Sequence, residues 1–319
     1  MDAADLEILT VGRVSVDLYP EQLNTPTRYV RTYRKSIGGT ATNVAVAAAR
    51  LGRRAGVVTK VGDDRFGDYI RHALAETFNV DTRYVATDPE LLTPLAFAEL
   101  NPPDDPLIFF YREPRAPDMN LVVDDIDLEV VRSVPILWIP ASRFAFEPSR
   151  TTVHRLLDER SRSRHVILDL DWRPMFWPSG QAAHEEIDGV LDRVTMAIGN
   201  RAECVIAVGS DDPDEAADRL LDRGLDAAIV KLGGDGVLVA SVDGTRERIA
   251  PYPVTVVCGL GAGDAFGGAI CHGLLSGWDL PTAAAYANAA GAVVAGKLMC
   301  ADDMPTAPEL DSFLRERAS

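Results

Sequence analysis

The chain has 319 residues, 47% of them hydrophobic, and a net charge of −16. A chain of this length buries most of its apolar surface without disulfides or a structural metal, and a surface this acidic excludes a nucleic-acid backbone as partner, which needs concentrated positive charge. Four cysteines without C-x-x-C spacing and five scattered histidines exclude a zinc site or a disulfide framework; no apolar run reaches the ~20 residues of a membrane helix, and residues 1–7 lack the basic-apolar pattern of a signal peptide, so a cytoplasmic protein with reduced thiols is expected.

Residues 6–16 read as a strand, the Ala-rich run 42–51 as a helix ended by Gly52, 56–61 as a strand and 65–77 as a helix. Two stretches break the rhythm. Residues 17–36 show no helical period, and 93–112 reads as two strands, 94–100 and 107–112, around a Pro-rich turn. They are expected either to form a small β-sheet projecting from the main domain or to be surface loops. Strands then follow at 134–139, 165–170, 195–198, 227–232 and 237–242, with helices at 149–160, 201–208 and 213–223. This alternation predicts βαβ units: one α/β domain with a mostly parallel sheet covered on both faces. Near the C-terminus, residues 265–275 show helical spacing, Gly277 is placed to end that helix, and Asp279 with Pro281 to start an Ala-rich helix over 282–295.

The run Cys258-Gly-Leu-Gly-Ala-Gly-Asp264 is the most informative. Glycine lets backbone approach a ligand closely, and the first amides of a helix have no internal partner and carry the positive end of its dipole. A turn with Gly259, Gly261 and Gly263 before a helix therefore suits a phosphoryl group. Asp264 at its mouth is placed to accept a proton from an attacking hydroxyl. The alternative is that the glycines permit tight packing and Asp264 caps the helix. The P-loop pattern is absent, and the dinucleotide fingerprint does not fit the spacing.

Gly-Ala-Gly-Asp-Ala-Phe late in the chain resembles the C-terminal signature of the ribokinase-like, PfkB-type sugar kinases. Gly38-Gly-Thr-Ala-Thr-Asn43 before an Ala-rich helix resembles their N-terminal signature, and Asn200-Arg-Ala-Glu203 and Val230-Lys-Leu-Gly-Gly-Asp-Gly236 resemble two further motifs, in the right order over nearly the whole chain. The resemblance implies a ribokinase-like fold for residues 1–319, with lid segments at about 17–36 and 93–116. It implies ATP and Mg²⁺, with Asp264 as catalytic base and the amides of Gly261, Ala262 and Gly263 as an anion hole. Asn200 and Glu203 would organise Mg²⁺, through water, and the phosphates. Lys231, Gly233, Gly236 and Asn288 would line the nucleotide site, and Asp17, Gly38, Gly39 and Asn43 would hold the sugar. Many members carry Asp-Thr-x where this chain has Cys258-Gly259-Leu260, the acid helping to bind a monovalent cation; the resemblance does not extend to activation by potassium.

Within the family, residues 12–20, 109–118 and 169–177 resemble a subgroup acting in myo-inositol breakdown. Its substrate, 5-dehydro-2-deoxygluconate, is a sugar acid with a primary alcohol. A carboxylate is met best by the planar fork of arginine, which points to Arg173 and Arg112, with Arg13 as a substitute; the alternative for each is a surface ion pair. Tyr111 either contacts the substrate or packs the lid. Asp169 and Asp171 read as a metal pair or as support for Arg173. A kinase for 2-keto-3-deoxygluconate or for a neutral sugar such as fructose or ribose, and a binding protein without catalysis, are the competing readings. A homodimer through the lid would hide its edges.

Overall fold

A computed structural model describes residues 6–102, 106–163 and 165–318 of the chain. The strands are β1 (Ile8–Val11), β2 (Ser15–Pro20), β3 (Tyr33–Gly38), β4 (Ala55–Gly62), β5 (Val85–Asp88), β6 (Leu95–Glu99), β7 (Leu107–Tyr111), β8 (Ile136–Pro140), β9 (His165–Asp169), β10 (Met196–Asn200), β11 (Ala227–Lys231), β12 (Val237–Ser241) and β13 (Arg246–Ile249). The helices are α1 (Thr40–Arg50), α2 (Arg65–His72), α3 (Leu128–Ser133), α4 (Ser149–Arg160), α5 (Gly180–Asp188), α6 (Arg201–Val208), α7 (Pro213–Asp222), α8 (Ala262–Leu275), α9 (Leu280–Ala295) and α10 (Ala307–Ala318).

Nine strands form the main sheet in the order β13-β12-β11-β10-β9-β8-β1-β4-β5. All pairs from β11 to β5 are parallel; only β11–β12 and β12–β13 are antiparallel. Its central strands are apolar throughout because each face is covered. One core layer joins the sheet to α1, α8 and α9 through Ile8, Val44, Trp138, Phe266 and Ala287. The other joins it to α4 and the helices that follow through Leu9, Leu137, Leu156, Leu168 and Ala217. The Ala/Gly composition of α8 and α9 is explained by close approach: a Cβ at Gly273 would stand 2.5 Å from Ala283 Cβ, and one at Gly268 would stand 2.4 Å from Ala47 Cβ.

A second, four-stranded sheet has the order β3-β2-β6-β7, so the two irregular stretches form a sheet and not loops. Residues 6–16, expected as one strand, are two: β1 belongs to the main sheet and β2 to the small one. The chain turns at Gly12, where a Cβ would stand 2.6 Å from Ala41 Cβ on α1; the apolar run hides this break because both strands are buried. The helix expected over 65–77 is α2 followed by a π-helical segment, Ala73–Thr77. Strands β5 and β13 and helices α3, α5 and α10 had no sequence expectation. Asp279 caps α9 through Thr282 N at 2.8 Å, and Gly277, at φ 72°, ends α8, both as expected. Among the described residues no helix is long and apolar enough to cross a membrane.

Candidate active site

A cleft of about 490 Å³ lies between the small sheet and the C-terminal ends of the main-sheet strands, where ligands of parallel α/β sheets collect. Its floor is the start of α8. Gly261 precedes that helix at φ 79°, a left-handed conformation that favours glycine, and a Cβ there would stand 2.7 Å from Cys300 Sγ. Asp264 lies in the first turn and does not cap the helix, since the cap residue is Gly261. Its carboxylate instead accepts a 2.7 Å bond from Asn43 Nδ2 on α1. Burial pushes its pKa up to about 6, against the opposing pull of Asn43, Arg173 and Lys231. A carboxylate with such a pKa is ionised at neutral pH and still basic enough to take a proton.

Lys231, at the end of β11, stands beside the same helix start: a Cβ on Gly263 would be 3.3 Å from its ammonium. It pairs with Glu203 at 3.8 Å. Burial works against its charge, but Glu203, Asp169 and Asp264 together raise its pKa. Asn200 and Glu203 form a reciprocal capping box at the start of α6, with bonds of 2.6 and 3.0 Å, which fixes the carboxylate near the cleft. Asp169 is buried and shifted upward by that burial. This end of the cleft therefore gathers Asp169, Glu203 and Asp264 around one lysine, all four among the residues lining it. Such an arrangement fits a divalent cation held chiefly by phosphate oxygens and water; no cluster of three or more ligating side chains stands ready among the described residues.

The opposite end is built by the small sheet and the loop after β9. Asp17 on β2 accepts from Ser15 Oγ at 2.6 Å and Tyr19 OH at 3.2 Å. Gly38 is required opposite it, since a Cβ there would stand 1.9 Å from the Asp17 carboxylate; Gly39 adopts φ 104° against the Arg13 carbonyl. Asp171 receives Arg173 Nε at 2.9 Å, Arg13 Nη2 at 3.2 Å, Thr40 Oγ1 at 3.3 Å and the Ser142 hydroxyl. Burial alone would raise its pKa, but the two guanidiniums and these hydrogen bonds hold it down.

Of the residues expected from sequence, Asp17, Gly39, Asn43, Arg173, Asn200, Glu203, Lys231, Gly261, Gly263 and Asp264 line the cleft together. Others stand outside it. Ala262 and Gly38 do not line it, though each adjoins a residue that does, Gly261 and Gly39. Tyr111 is 63% exposed, packed edge-on to Phe97 on the outer face of the small sheet. Arg112 pairs with Asp118 at 2.9 Å and borders a neighbouring hollow. Asn288 donates to Ala250 O at 3.1 Å, tying α9 to the chain after β13. Gly236 allows the chain to pass Ile249 O, and Gly233 faces open space. Arg13, Ser15, Tyr19, Thr40, Asp171 and Cys300 also line or support the cleft; alternation along β2 places Tyr19 with Asp17, which is the signal that finds it. Phe176 meets two cations, the guanidiniums of Arg13 and Arg112 lying 5.2 and 5.1 Å from its ring centre. His272 accepts from Arg53 Nε at 3.1 Å and stacks on Tyr286, and Cys258 is buried beside Tyr19, Met299 and Cys300; neither lines the cleft.

A parallel sheet, a glycine turn opening a helix beneath a carboxylate, and a small sheet across the cleft are the parts of a phosphoryl-transfer site, and residues 5–307 match the pfkB family carbohydrate kinase pattern: the chain belongs to that family, with a ribokinase-like fold. It is similar to proteins named 5-dehydro-2-deoxygluconokinase. It is 33% identical to one from Clostridium perfringens, over 97% of this chain and 93% of that protein, and 31% identical to one from Geobacillus kaustophilus, over 98% and 94%. Among solved structures it resembles a PfkB protein from Polaromonas sp. JS666 (25% identity, TM-score 0.83, 93% of this chain and 98% of that one). The fold is shared with a putative ribokinase II from E. coli solved with ATP and Mg²⁺ (22%, TM-score 0.88, 98% and 99%).

Proposed function

We propose that this sugar kinase transfers the terminal phosphoryl group of ATP to the primary hydroxyl, O6, of 5-dehydro-2-deoxygluconate. The observation that carries the chemistry is the position of Asp264: in the first turn of α8, held by Asn43, raised in basicity by burial, and flanked by Lys231. Asp264 takes the proton of the attacking hydroxyl, the oxygen forms a bond to the terminal phosphorus, and the bond from that phosphorus to the bridging oxygen breaks to release ADP. The amides of Gly261, Ala262 and Gly263 and the Lys231 ammonium stabilise the charge on the migrating group. Asn200 and Glu203 would hold Mg²⁺ through its waters, and the ion would supply neutralising charge to the phosphates. Gly233, Gly236 and Asn288, outside the cleft itself, would border the nucleoside.

Asp17, Gly38, Gly39 and Asn43 hold the sugar hydroxyls, Arg173 binds the carboxylate, and the four-stranded sheet is the lid of a single domain. The names of the relatives and the arginines at that end of the cleft support the acid over neutral sugars. The outer face of the lid, with Tyr111 and Leu107 exposed, supports a homodimer through paired lids. Four free thiols support a reducing, cytoplasmic setting.

A coupled assay for ADP release across sugar acids and neutral sugars tests the reading. Turnover of 5-dehydro-2-deoxygluconate is expected to exceed that of 2-keto-3-deoxygluconate, fructose or ribose; a neutral sugar turned over far better, or no transfer to any sugar, would overturn it. Because Cys258 replaces an acid before the phosphate loop, rates with and without potassium are expected to agree within about twofold, a factor equivalent to ~0.4 kcal/mol of barrier.

A further inference from the structure

At and behind the sugar end of the cleft, four guanidiniums share two carboxylates. Arg112 and Arg143 pair with Asp118 at 2.9 and 3.2 Å, while Arg13 and Arg173 pair with Asp171 at 3.2 and 2.9 Å. Arg112 and Arg143 do not line the cleft; Arg13 and Arg173 do. Arg13 is 6% exposed. Its Nη2 donates to Thr40 Oγ1 at 2.7 Å and to Asp171, and its plane lies against Phe176. Its Nε is buried with no hydrogen-bond partner among the described residues. That atom, like the Nε of Arg112 and Arg143, is shut off from a ligand, so what Arg13 can offer one is its Nη donors on the cleft wall. Burial does weigh against its charge, which Asp171 supports.

Asp171 is itself saturated, accepting from Arg13, Thr40, Arg173 and Ser142. What the Asp171 cluster itself offers a ligand is therefore the remaining donors of its two arginines. That selects a group that only accepts, as a carboxylate does and a hydroxymethyl group does not. We propose that Arg13 is a second ligand of the substrate's carboxylate, and that Asp171 is a positioning residue that holds Arg13 and Arg173 ready for it. The inference rests on the sugar-acid reading above and sharpens it: charge preference comes from a pre-set pair of forks and not from Arg173 alone. Two guanidiniums locked by one buried carboxylate lose little side-chain freedom on binding.

Steady-state kinetics of Arg13→Gln, Arg13→Lys and Asp171→Asn, with thermal melts, test this. For Arg13→Gln the KM for 5-dehydro-2-deoxygluconate is expected to rise about 30-fold, within the range for a lost charge-assisted hydrogen bond, while kcat and the KM for Mg-ATP stay within about threefold. Asp171→Asn is expected to raise the same KM and leave that for Mg-ATP alone, which a general loss of structure would not do. Arg13→Lys, which keeps the charge but not the fork, is expected to raise KM about tenfold, and decides the matter if the Gln variant does not fold. An unchanged KM for the acid in a folded Arg13 variant, or equal losses for acid and Mg-ATP, overturns the inference alone. Turnover of neutral sugars only by the unaltered chain removes the sugar-acid reading and this inference with it.

Discussion

Asp264→Asn is expected to lower kcat by about 10³-fold while leaving Mg-ATP affinity within a few-fold, since the amide keeps the shape of the site but takes no proton. Isothermal titration with Mg-ATP, beside single-turnover transfer, separates the two quantities. In the parent chain kcat/KM should fall on the acid side of about pH 6, because burial raises the Asp264 pKa to that value and only the ionised form is a base. The charged and polar neighbours that set this limb are Asn43, Arg173, Asp171 and Lys231. Stability moves the other way. A carboxyl whose folded pKa lies above its ordinary 3.8 binds more protons folded than unfolded, so its contribution falls as pH rises from about 4 to about 6. The asparagine variant should thus melt at the same or a higher temperature at pH 7. A lower melting temperature together with residual kcat near that of the parent would show Asp264 to be structural.

The second large effect is expected at Gly261. Alanine there must adopt φ 79° and place its Cβ 2.7 Å from Cys300 Sγ, against a buried residue with no room to yield. The turn must shift, and with it the amides proposed to face the migrating phosphoryl group. The loss of one such donor costs about 10²–10³-fold in kcat, and the backbone strain adds about 1–3 kcal/mol of instability. Gly277→Ala is the control. It too has positive φ, 72°, but its Cβ would meet nothing within 4 Å, so its melting temperature should fall without loss of kcat. If both variants lose stability alike and neither loses turnover, the turn does not hold the phosphoryl group.

The parts of the site most legible in the sequence are those where local backbone geometry dictates residue type. Gly261 and Gly39 stand at positive φ, and Asn200 and Glu203 meet through a local capping box; such demands leave a mark over a few residues. Alternating strands and helices likewise fixed the layer order, because each buries a face with its own period. What the sequence left open depends on long-range register. Whether Arg112 or Arg13 reaches the cleft is settled by where β7 ends relative to Asp118 and by the break between β1 and β2, neither visible in composition. Tyr111 shares the outward face of β7 with Phe109 and Leu107, which alternation alone cannot tell from the inward one. The charge-sharing of Asp171 joins residues 13, 40, 142 and 173, and no spacing rule connects them.

The uneven distribution of charge along the cleft makes it a polar slot. Lys231 stands among Asp169, Glu203 and Asp264, while Arg13 and Arg173 gather on Asp171, with Arg173 still within electrostatic reach of Asp264. On the sugar-acid reading, a substrate whose carboxylate meets Arg13 and Arg173 has its far hydroxyl free to reach Asp264. Regiochemistry would then follow from where the cations stand before any hydroxyl is recognised: an anionic chain anchored on the arginines would offer the carbon farthest from its charge for phosphorylation.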